Sequence, residues 1–558
     1  MGFDMLVAEK HYSYLIDCLT ATYNNCLPHW KDIRTYLAPR SAYFNNESDN
    51  DGRQNDQELV SSNILHVRRT AARGMHTLMS SSSMRWFQFG YDDKQLADFQ
   101  PVKEWLYNSG EVVRTIISGS NIYNKLEPHY LTQMDYGTSV LMLEDDDADI
   151  IRAYSLAFGT FMIGTDAAAR VDTLLRMVQL NSYQFVMKFK DKTPAVVKRR
   201  YDEGDYKTKY TVYHIIEPNR NYKKGSKLSQ DKKWASVWIW KDKLGQKEGF
   251  LSIKGYDLKP FMCSRMHVTG DDVWAYGCGS VALSDNKASN LLDKRIYQGI
   301  SQQVRPTMLA DSGLQNAFLS TDANDTVYVN GLLTGANPYR KAFEINPDFR
   351  MAVDKVNLLE ERVRSAYFVP LLTTMLDIAN RPALTAAQTL ATQDEKLSML
   401  TPLAESTAFD LHSPMIDFIF QSAWLRGKIA KPPKELEGKP LMVEFISTLA
   451  QAQKSKSVAN VERFLELVET RVMPVYPDAI DKLNLDETIE EFADSLAISP
   501  QNIHADDVTA QIRQARQQAQ AEAAQQQKSM MDAERNRTLS QTDTSGENAL
   551  TSGGNYAA

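Results

Sequence analysis

Apolar side chains recur every three or four residues along most of this chain, and every second residue in one stretch of its first half. Tyr12, Leu15, Leu19, Tyr23 and Leu27 predict a helix over residues 8–38; Trp30, Ile33 and Leu37 carry its stripe past Pro28, and Pro39 ends it. Residues 44–58, rich in Asn and Asp, read as a solvent loop. Ile64, Val67, Ala71, Met75 and Leu78 share one face of a helix over 61–80, and Met84 to Phe89 alternates as a short strand. Helices follow at 100–118, with Val102, Leu106, Val113 and Ile116 on one side, and at 122–136. Thr138 to Leu143 reads as a strand, two strand-like runs lie near 150–164, and residues 166–189 read as one helix. Residues 208–260, rich in Tyr, Trp, Val and Ile between turn residues, form a β-rich patch with strands at Trp238–Trp240 and Phe250–Ile253.

The second half is more helical. A helix over 284–304, capped by Ser284 or Asp285, aligns Ala288, Leu292, Ile296 and Ile300. Turn chemistry at Gly313, Asn330-Gly331, Gly335 and Asn337-Pro338 separates it from an amphipathic helix over 348–369 that carries Phe349, Val353, Val356, Leu359, Val363 and Tyr367. Thr385 and Gln388 make a capping box that opens a long helical stretch to about residue 428, kinked or interrupted at Pro402 and Pro414. Beyond a Pro/Lys-rich connector at 431–440, helices are expected near 441–472 and 478–498. Residues 506–535, rich in Gln, Ala and Arg, favour a helix that has few apolar anchors and needs neighbours. The Ser-, Thr- and Gly-rich end reads as disordered. The fold class is α+β, mainly helical.

Composition narrows the function. With 558 residues, 43% of them apolar, the chain can build large cores and has room for roughly three or four domains. Its formal net charge is -7, whereas a protein that grips DNA as a monomer carries a basic surplus. DNA, if a partner, is held in a way that avoids sticking. Cys18, Cys26, Cys263 and Cys278 fit no zinc spacing and read as reduced thiols of a protein made in a cytoplasm. The N-terminus does not read as a signal peptide, and no run approaches the ~18 apolar residues of a membrane span.

No catalytic constellation emerges. Gly225-Ser226-Lys227 lacks the glycine that opens a phosphate-binding loop, and there is no H-E-x-x-H or C-x-x-C. Gly277-Cys278-Gly279-Ser280-Val281-Ala282 fits G-x-G-x-x-A without the surrounding βαβ pattern of a nucleotide site, and reads as a tight turn before a helix. Glu144, Asp145, Asp146, Asp147 and Asp149 have the oxygen chemistry for a divalent cation, but their place between two strands favours a solvated hairpin turn. The histidines are scattered. The expectation is no catalytic residue, no metal and no cofactor.

Four stretches resemble the portal, or head-to-tail connector, family of short-tailed phages. The first is Trp30 to Tyr36 with Pro39. The second is residues 63–91, where small residues and a glycine precede a Leu/Met run and a Trp-containing strand. The third is Tyr136-Gly137-Thr138-Ser139-Val140-Leu141. The fourth is Tyr276-Gly277-x-Gly279, opening a helix rich in Leu, Asn and Gln that leads to Val304-Arg305-Pro306. The likeness runs over about residues 10–520, and its specificity lies in order and spacing.

The resemblance implies a closed ring of about twelve copies, with a wing (1–260), an approach and first stem helix (261–304), a clip (305–346) and a second stem helix (347–369). A tunnel loop (370–384), a long wing helix (385–440), a crown with C-terminal helices (441–540) and a disordered tail (541–558) follow. It implies stem packing by Leu292, Ile296, Ile300, Val353, Val356 and Val363. Thr373, Thr374, Met375, Asn380 and Arg381 would line the channel, and Arg305, Asn330, Arg340 and Lys341 would contact terminase and then tail adaptors. Implied partners are double-stranded DNA, terminase, tail adaptor and nozzle proteins, major capsid and scaffolding proteins, and internal core or ejection proteins at the crown, with no membrane. The implied location is the portal vertex of the virion, after assembly in the host bacterial cytoplasm. Another phage structural or scaffolding protein is the alternative reading; a metal-dependent packaging nuclease built on the acidic run is the other.

Overall fold

A computed structural model describes residues 5–39, 41–44, 59–91, 99–146, 149–226, 228–304, 308–310, 339–341, 348–378, 399–436 and 442–445, together with 461–472, 474, 476, 483–495, 502 and 506–541. Its elements are α1 (Met5–Tyr36), α2 (Asn63–Met79), β1 (Phe87–Gly90), α3 (Gln100–Gly119), α4 (Ile122–Tyr136), β2 (Thr138–Asp146), β3 (Ile150–Ser155), β4 (Phe161–Thr165), β5 (Val171–Asn181), α5 (Ser182–Phe189) and α6 (Ala195–Asp202). Then come β6 (Lys209–Pro218), β7 (Trp234–Trp240), β8 (Phe250–Tyr256), β9 (Phe261–Arg265), α7 (Cys278–Val304), β10 (Met308–Ala310), β11 (Tyr339–Lys341), α8 (Phe349–Ala366), α9 (Val369–Ile378), α10 (Ser413–Leu425), β12 (Met442–Phe445), α11 (Leu485–Ser495) and α12 (Asp506–Gln541). The chain is α+β and mainly helical.

Contacts divide it into two units. The larger holds residues 1–89, 109–430 and 443–450. In it β3, β2 and β9 form one antiparallel sheet, and β4 to β8 form a five-stranded antiparallel meander. Trp30 packs edge-on against Trp274 and Phe158, at 4.7 and 4.9 Å between ring centres, and Tyr136 stacks on Phe158 at 4.1 Å. Tyr136 and Phe158 are fully buried, so this aromatic knot ties α1 and α4 to the chain before β4. The meander has its own core, in which Phe185, Phe189 and Val197 from α5 and α6 cover Val212, Trp238, Trp240 and Leu251 on one sheet face.

In the smaller unit α12 runs 36 residues, about 54 Å at 1.5 Å per residue. Its described side chains are almost all exposed. Arg513 makes a two-pronged pair with Asp486 of α11 at 2.6 and 2.7 Å.

Four expectations need correction. Residues 166–189 are not one helix: 171–181 are the long strand β5, because hydrogen bonding to β4 and β6 on both sides outweighs a local pattern that suits either state. The helix begins only at Ser182, where Asn181 and Gln184 form a capping box. Residues 442–445 are a strand rather than the start of a helix. The first half of the expected tunnel loop is the helix α9. The helix expected from 284 starts at Cys278, so Gly279 lies in its first turn instead of in a loop before it. Pro414 enters through a π-helical turn, Ala408–His412, that absorbs the backbone break before α10. Of the polar loop expected at 44–58 only Phe44 is described, and it is fully buried; residues 45–58, the capping box at 385–388, most of the expected clip and nearly all of the tail lie outside the described residues.

Candidate functional site: an antiparallel helix pair and its buried root

α7 is 27 residues long, about 40 Å. Its first half is embedded: Cys278, Ala282, Leu283, Asn286, Ser289 and Asn290 are buried. Hydrogen bonds fasten this half to α1 and to the chain before α2. Asn286 Nδ2 donates to the Tyr36 carbonyl at 2.6 Å, Lys287 Nζ pairs with Asp32 at 2.7 Å, and the Val60 N–H donates to Asn290 Oδ1 at 3.1 Å. The second half emerges from the body with α8 alongside and antiparallel. A Cβ on Gly299 would meet the Phe349 ring at 3.0 Å, and Asp293 faces Glu360. Burial, then the Glu360 charge, raises the Asp293 pKa. At the far end β10 and β11 close the pair as an antiparallel ribbon, with Leu309 opposite Arg340 and Met308 opposite Lys341.

The expected stem residues divide by position along this pair. Val356 and Val363 are buried, Leu292 and Ile296 are half-buried, and Ile300 and Val353 are exposed in the single chain. They have exposed apolar company in Tyr297, Val304 (73% exposed) and Met351 (75%). A projecting helix pair in water that keeps such side chains uncovered has an unfilled face.

The root of the pair is built from contacts that pattern reading did not foresee. Gly137, the C-cap of α4, has φ +82°, and a Cβ there would meet the Tyr276 backbone at 2.3 Å. Gly277 and Gly279 return the contact: their added Cβ atoms would meet the Met134 carbonyl oxygen at 2.5 Å and the Asp135 carbonyl oxygen at 2.2 Å. The two Tyr-Gly motifs, Tyr136-Gly137 and Tyr276-Gly277, are therefore the two sides of one backbone-to-backbone contact, which only glycine permits. No parallel βαβ unit surrounds them among the described residues, and these glycines serve packing.

Beside them lies a buried charge network. The Arg68 guanidinium forms a two-pronged pair with Asp135, one prong being Nε to Oδ1 at 2.8 Å, and the Tyr367 hydroxyl donates to the same Oδ1 at 3.0 Å. Asp135 and Tyr367 are fully buried and Arg68 is 5% exposed. One carboxylate thus joins α2, α4 and the C-cap of α8. Sequence carries a faint signal for it, because Arg68 lies on the apolar face that Ile64, Ala71 and Met75 define. Phe368, the next residue, takes φ +55° and turns the chain from α8 into α9. α9 docks on α2 where Gly74 leaves a notch: a Cβ there would meet Leu372 Cβ at 2.9 Å. Thr373 bonds back to the Val369 carbonyl within α9. Thr374 and Met375 belong to that helix; Asn380, Arg381, Arg305 and Asn330 lie outside the described residues, and Arg340 and Lys341 are placed by their backbone in β11.

The acidic run ends the β2–β3 hairpin. Glu144 lies 3.7 Å from Arg176, Asp145 accepts from the Ser422 hydroxyl, and Asp146 lies 3.6 Å from Arg152. Among the described residues no group of three or more His, Cys, Asp or Glu is placed to hold a metal, and no helix is long and apolar enough to cross a membrane.

The family described as bacteriophage head to tail connecting protein matches residues 9–503. The chain is 30% identical over 532 residues to the portal protein of Salmonella phage epsilon15, across 95% of each protein. It is 30% identical over 529 residues to a probable portal protein of Bordetella phage BPP-1, across 94% of each. A chain from the solved virion of a native gene transfer agent particle superposes with a TM-score of 0.34 at 10% identity, over 72% of this chain and 89% of that one. With a family match and relatives that span almost its whole length, the chain belongs to the bacteriophage head-to-tail connecting proteins.

Proposed function

We propose that the protein is the portal of a short-tailed phage, a virion component that forms a closed ring at one capsid vertex and conducts the genome inward during packaging and outward at ejection. Family membership supports the connector role, and its work is mechanical rather than catalytic. The single observation that carries the ring is the α7–α8 pair, fastened at its root and apolar along its projecting half. In a cyclic ring one face of each subunit meets a different face of the next. Side-by-side pairs would then cover Tyr297, Ile300, Val304, Met351 and Val353 with the neighbour's helices.

On this reading the α7–α8 pair is the stem, about 284–304 and 347–369, and residues 305–346, closed at their base by the β10–β11 ribbon, are the clip that meets terminase and then the tail adaptors. Residues 370–384, of which α9 is the described part, are the tunnel loop, with Asn380 and Arg381 as the residues that would meet DNA. The remaining N-terminal portion with residues 385–440 is the wing, and 441–540 the crown. The net charge of -7 per copy suits a passage through which DNA must slide, because each neutralised phosphate adds affinity through counterion release. Mass measurement and class averages of the purified protein test the reading. A closed ring with a central hole is expected from cyclic symmetry, and about twelve copies from the family likeness. A protein that stays monomeric at high concentration and alongside its scaffolding protein refutes it.

A further inference from the structure

The charge of this chain is unevenly placed. Residues 161–256, which hold the five-stranded meander with α5 and α6, contain 20 Lys and Arg against 10 Asp and Glu, a net +10; all other residues together carry -17. Ion pairs with Glu203, Asp205 and Asp231 occupy Arg199, Arg200 and Lys223. Another group of cations converges on one place. A cavity of about 710 Å³ opens between the end of α5 and strand β8, and Lys188, Lys190, Lys192 and Lys254 all line it. Lys188 Nζ stands 3.7 Å from the centre of the Trp238 ring, which forms part of the wall. The cavity also holds Glu144, Asp145 and Asp191; Glu144 lies 3.7 Å from Arg176, and Asp145 keeps its charge while accepting from Ser422, so the lining itself carries only a small positive excess and the larger surplus belongs to the module around it.

The module comes near the approach to the helix pair only through β4, where Phe161 lies 6.1 Å from Trp274 between ring centres, and its opposite part lies along α1. It meets the N-terminal half of α1, through His11 with Glu217 at 3.0 Å and Tyr12 against Phe250, whereas α7 is tied to the other end of α1 at Asp32. Twenty residues of helix separate Tyr12 from Asp32, about 30 Å at 1.5 Å per residue.

We propose that this basic module is a second DNA-contacting surface, in which the lysines around the cavity hold backbone phosphates of duplex DNA outside the channel. The choice of DNA rests on the portal reading. It is also favoured by the spread of the cations, since Lys192, Lys198, Arg220, Lys224 and Lys254 come from separate segments of the module. A uniformly charged rod suits that spread better than a single compact acidic side chain would, and the negative remainder of the chain confines such contact to the module.

The experiment uses the assembled full-length protein with two probes, linear duplex and covalently closed circular duplex, titrated between 50 and 200 mM salt. A closed circle has no end to thread through a ring. Circular and linear DNA are expected to bind alike, with affinity falling steeply as salt rises. The K190E/K192E/K254E variant is expected to lose affinity for both and to flatten the log–log salt slope by about 3, one for each phosphate contact removed, with rings intact in negative stain. Binding of linear DNA alone, an unchanged slope in the variant, or tighter binding of polyglutamate than of circular DNA at equal charge would each overturn the proposal. Rings that fall apart in the variant would also overturn it and assign the lysines to a subunit contact. Absence of rings in the unaltered protein counts against the portal reading instead, and is scored separately.

Discussion

Replacing Arg68 with methionine leaves the Asp135 carboxylate fully buried with the Tyr367 hydroxyl still donating to it and its guanidinium partner gone. Breaking a buried pair by removing one partner costs about 3–5 kcal/mol, because the stranded charge cannot return to water. Tyr367→Phe removes one hydrogen bond to a charged group and is expected to cost about 1.5–3 kcal/mol. Replacing both ends of the pair, as Arg68→Met with Asp135→Leu, removes the stranded charge and is expected to recover most of the Arg68→Met loss. Multi-unit chains generally depart from single-step unfolding, so the readout is local: hydrogen exchange of peptides from α2, α4 and α8 in the unassembled protein. Faster exchange in all three after Arg68→Met, largely restored by the double change, is the expected pattern. A double variant that exchanges as fast as Arg68→Met, or a single variant indistinguishable from the parent, would show that the network does not hold the root.

Four further outcomes are open to measurement. Burial holds the pKa of His129 and His412 down to about 3, and that of His214 well below its usual value, so the unfolded chain binds these protons first. The contribution of these three groups to stability is therefore constant above about pH 6.5 and falls as pH drops from there toward about 3, by at most about 4 kcal/mol per pH unit for the three together; a His129→Gln variant of the unassembled protein whose thermal midpoint falls as steeply on acidification as the parent's would contradict this. Gly204→Ala strains only a φ of +80° in open space and should cost about 1 kcal/mol, whereas Gly279→Ala must displace the Asp135 carbonyl oxygen and is expected to leave little soluble protein; equal yields would refute the distinction. Val304→Asp and Met351→Asp, at exposed positions, should shift the melting temperature of the unassembled chain by under a degree or two yet lower the yield of rings, and normal ring yield would remove these residues from the interface. Deleting residues 379–384 is expected to leave rings intact and reduce the DNA packaged per particle, with normal packaging as the refuting result.

The helix pair and the β-rich patch were legible because their apolar periods are long and clean, and Val356, Leu359 and Val363 indeed form the buried stripe of α8. β5 was not, because Val171 to Asn181 suits helix or strand and only its two neighbouring strands decide. The root of the pair escaped for a different reason. Its parts, Arg68, Asp135, Gly137, Gly277 and Tyr367, are far apart in sequence, and no local pattern says that a carboxylate at 135 will meet a tyrosine at 367. The Tyr-Gly pairs were visible as part of a family likeness, but their purpose, a contact between two backbones, required the structure.

The fit of Leu372 into the space left by Gly74 works as a key in a keyway. A helix lying on another can slip by one turn, about 5.4 Å, when its contacts repeat along the axis. This contact does not repeat, because only at Gly74 is the bulk missing that Leu372 fills. The height at which the chain leaves α9 after Ile378 is thereby indexed to α2. In an assembly of many copies, whatever follows residue 378 would start from the same level in every subunit, and the outline of an opening bordered by those segments would be set by tolerances inside each subunit before any two of the segments touch.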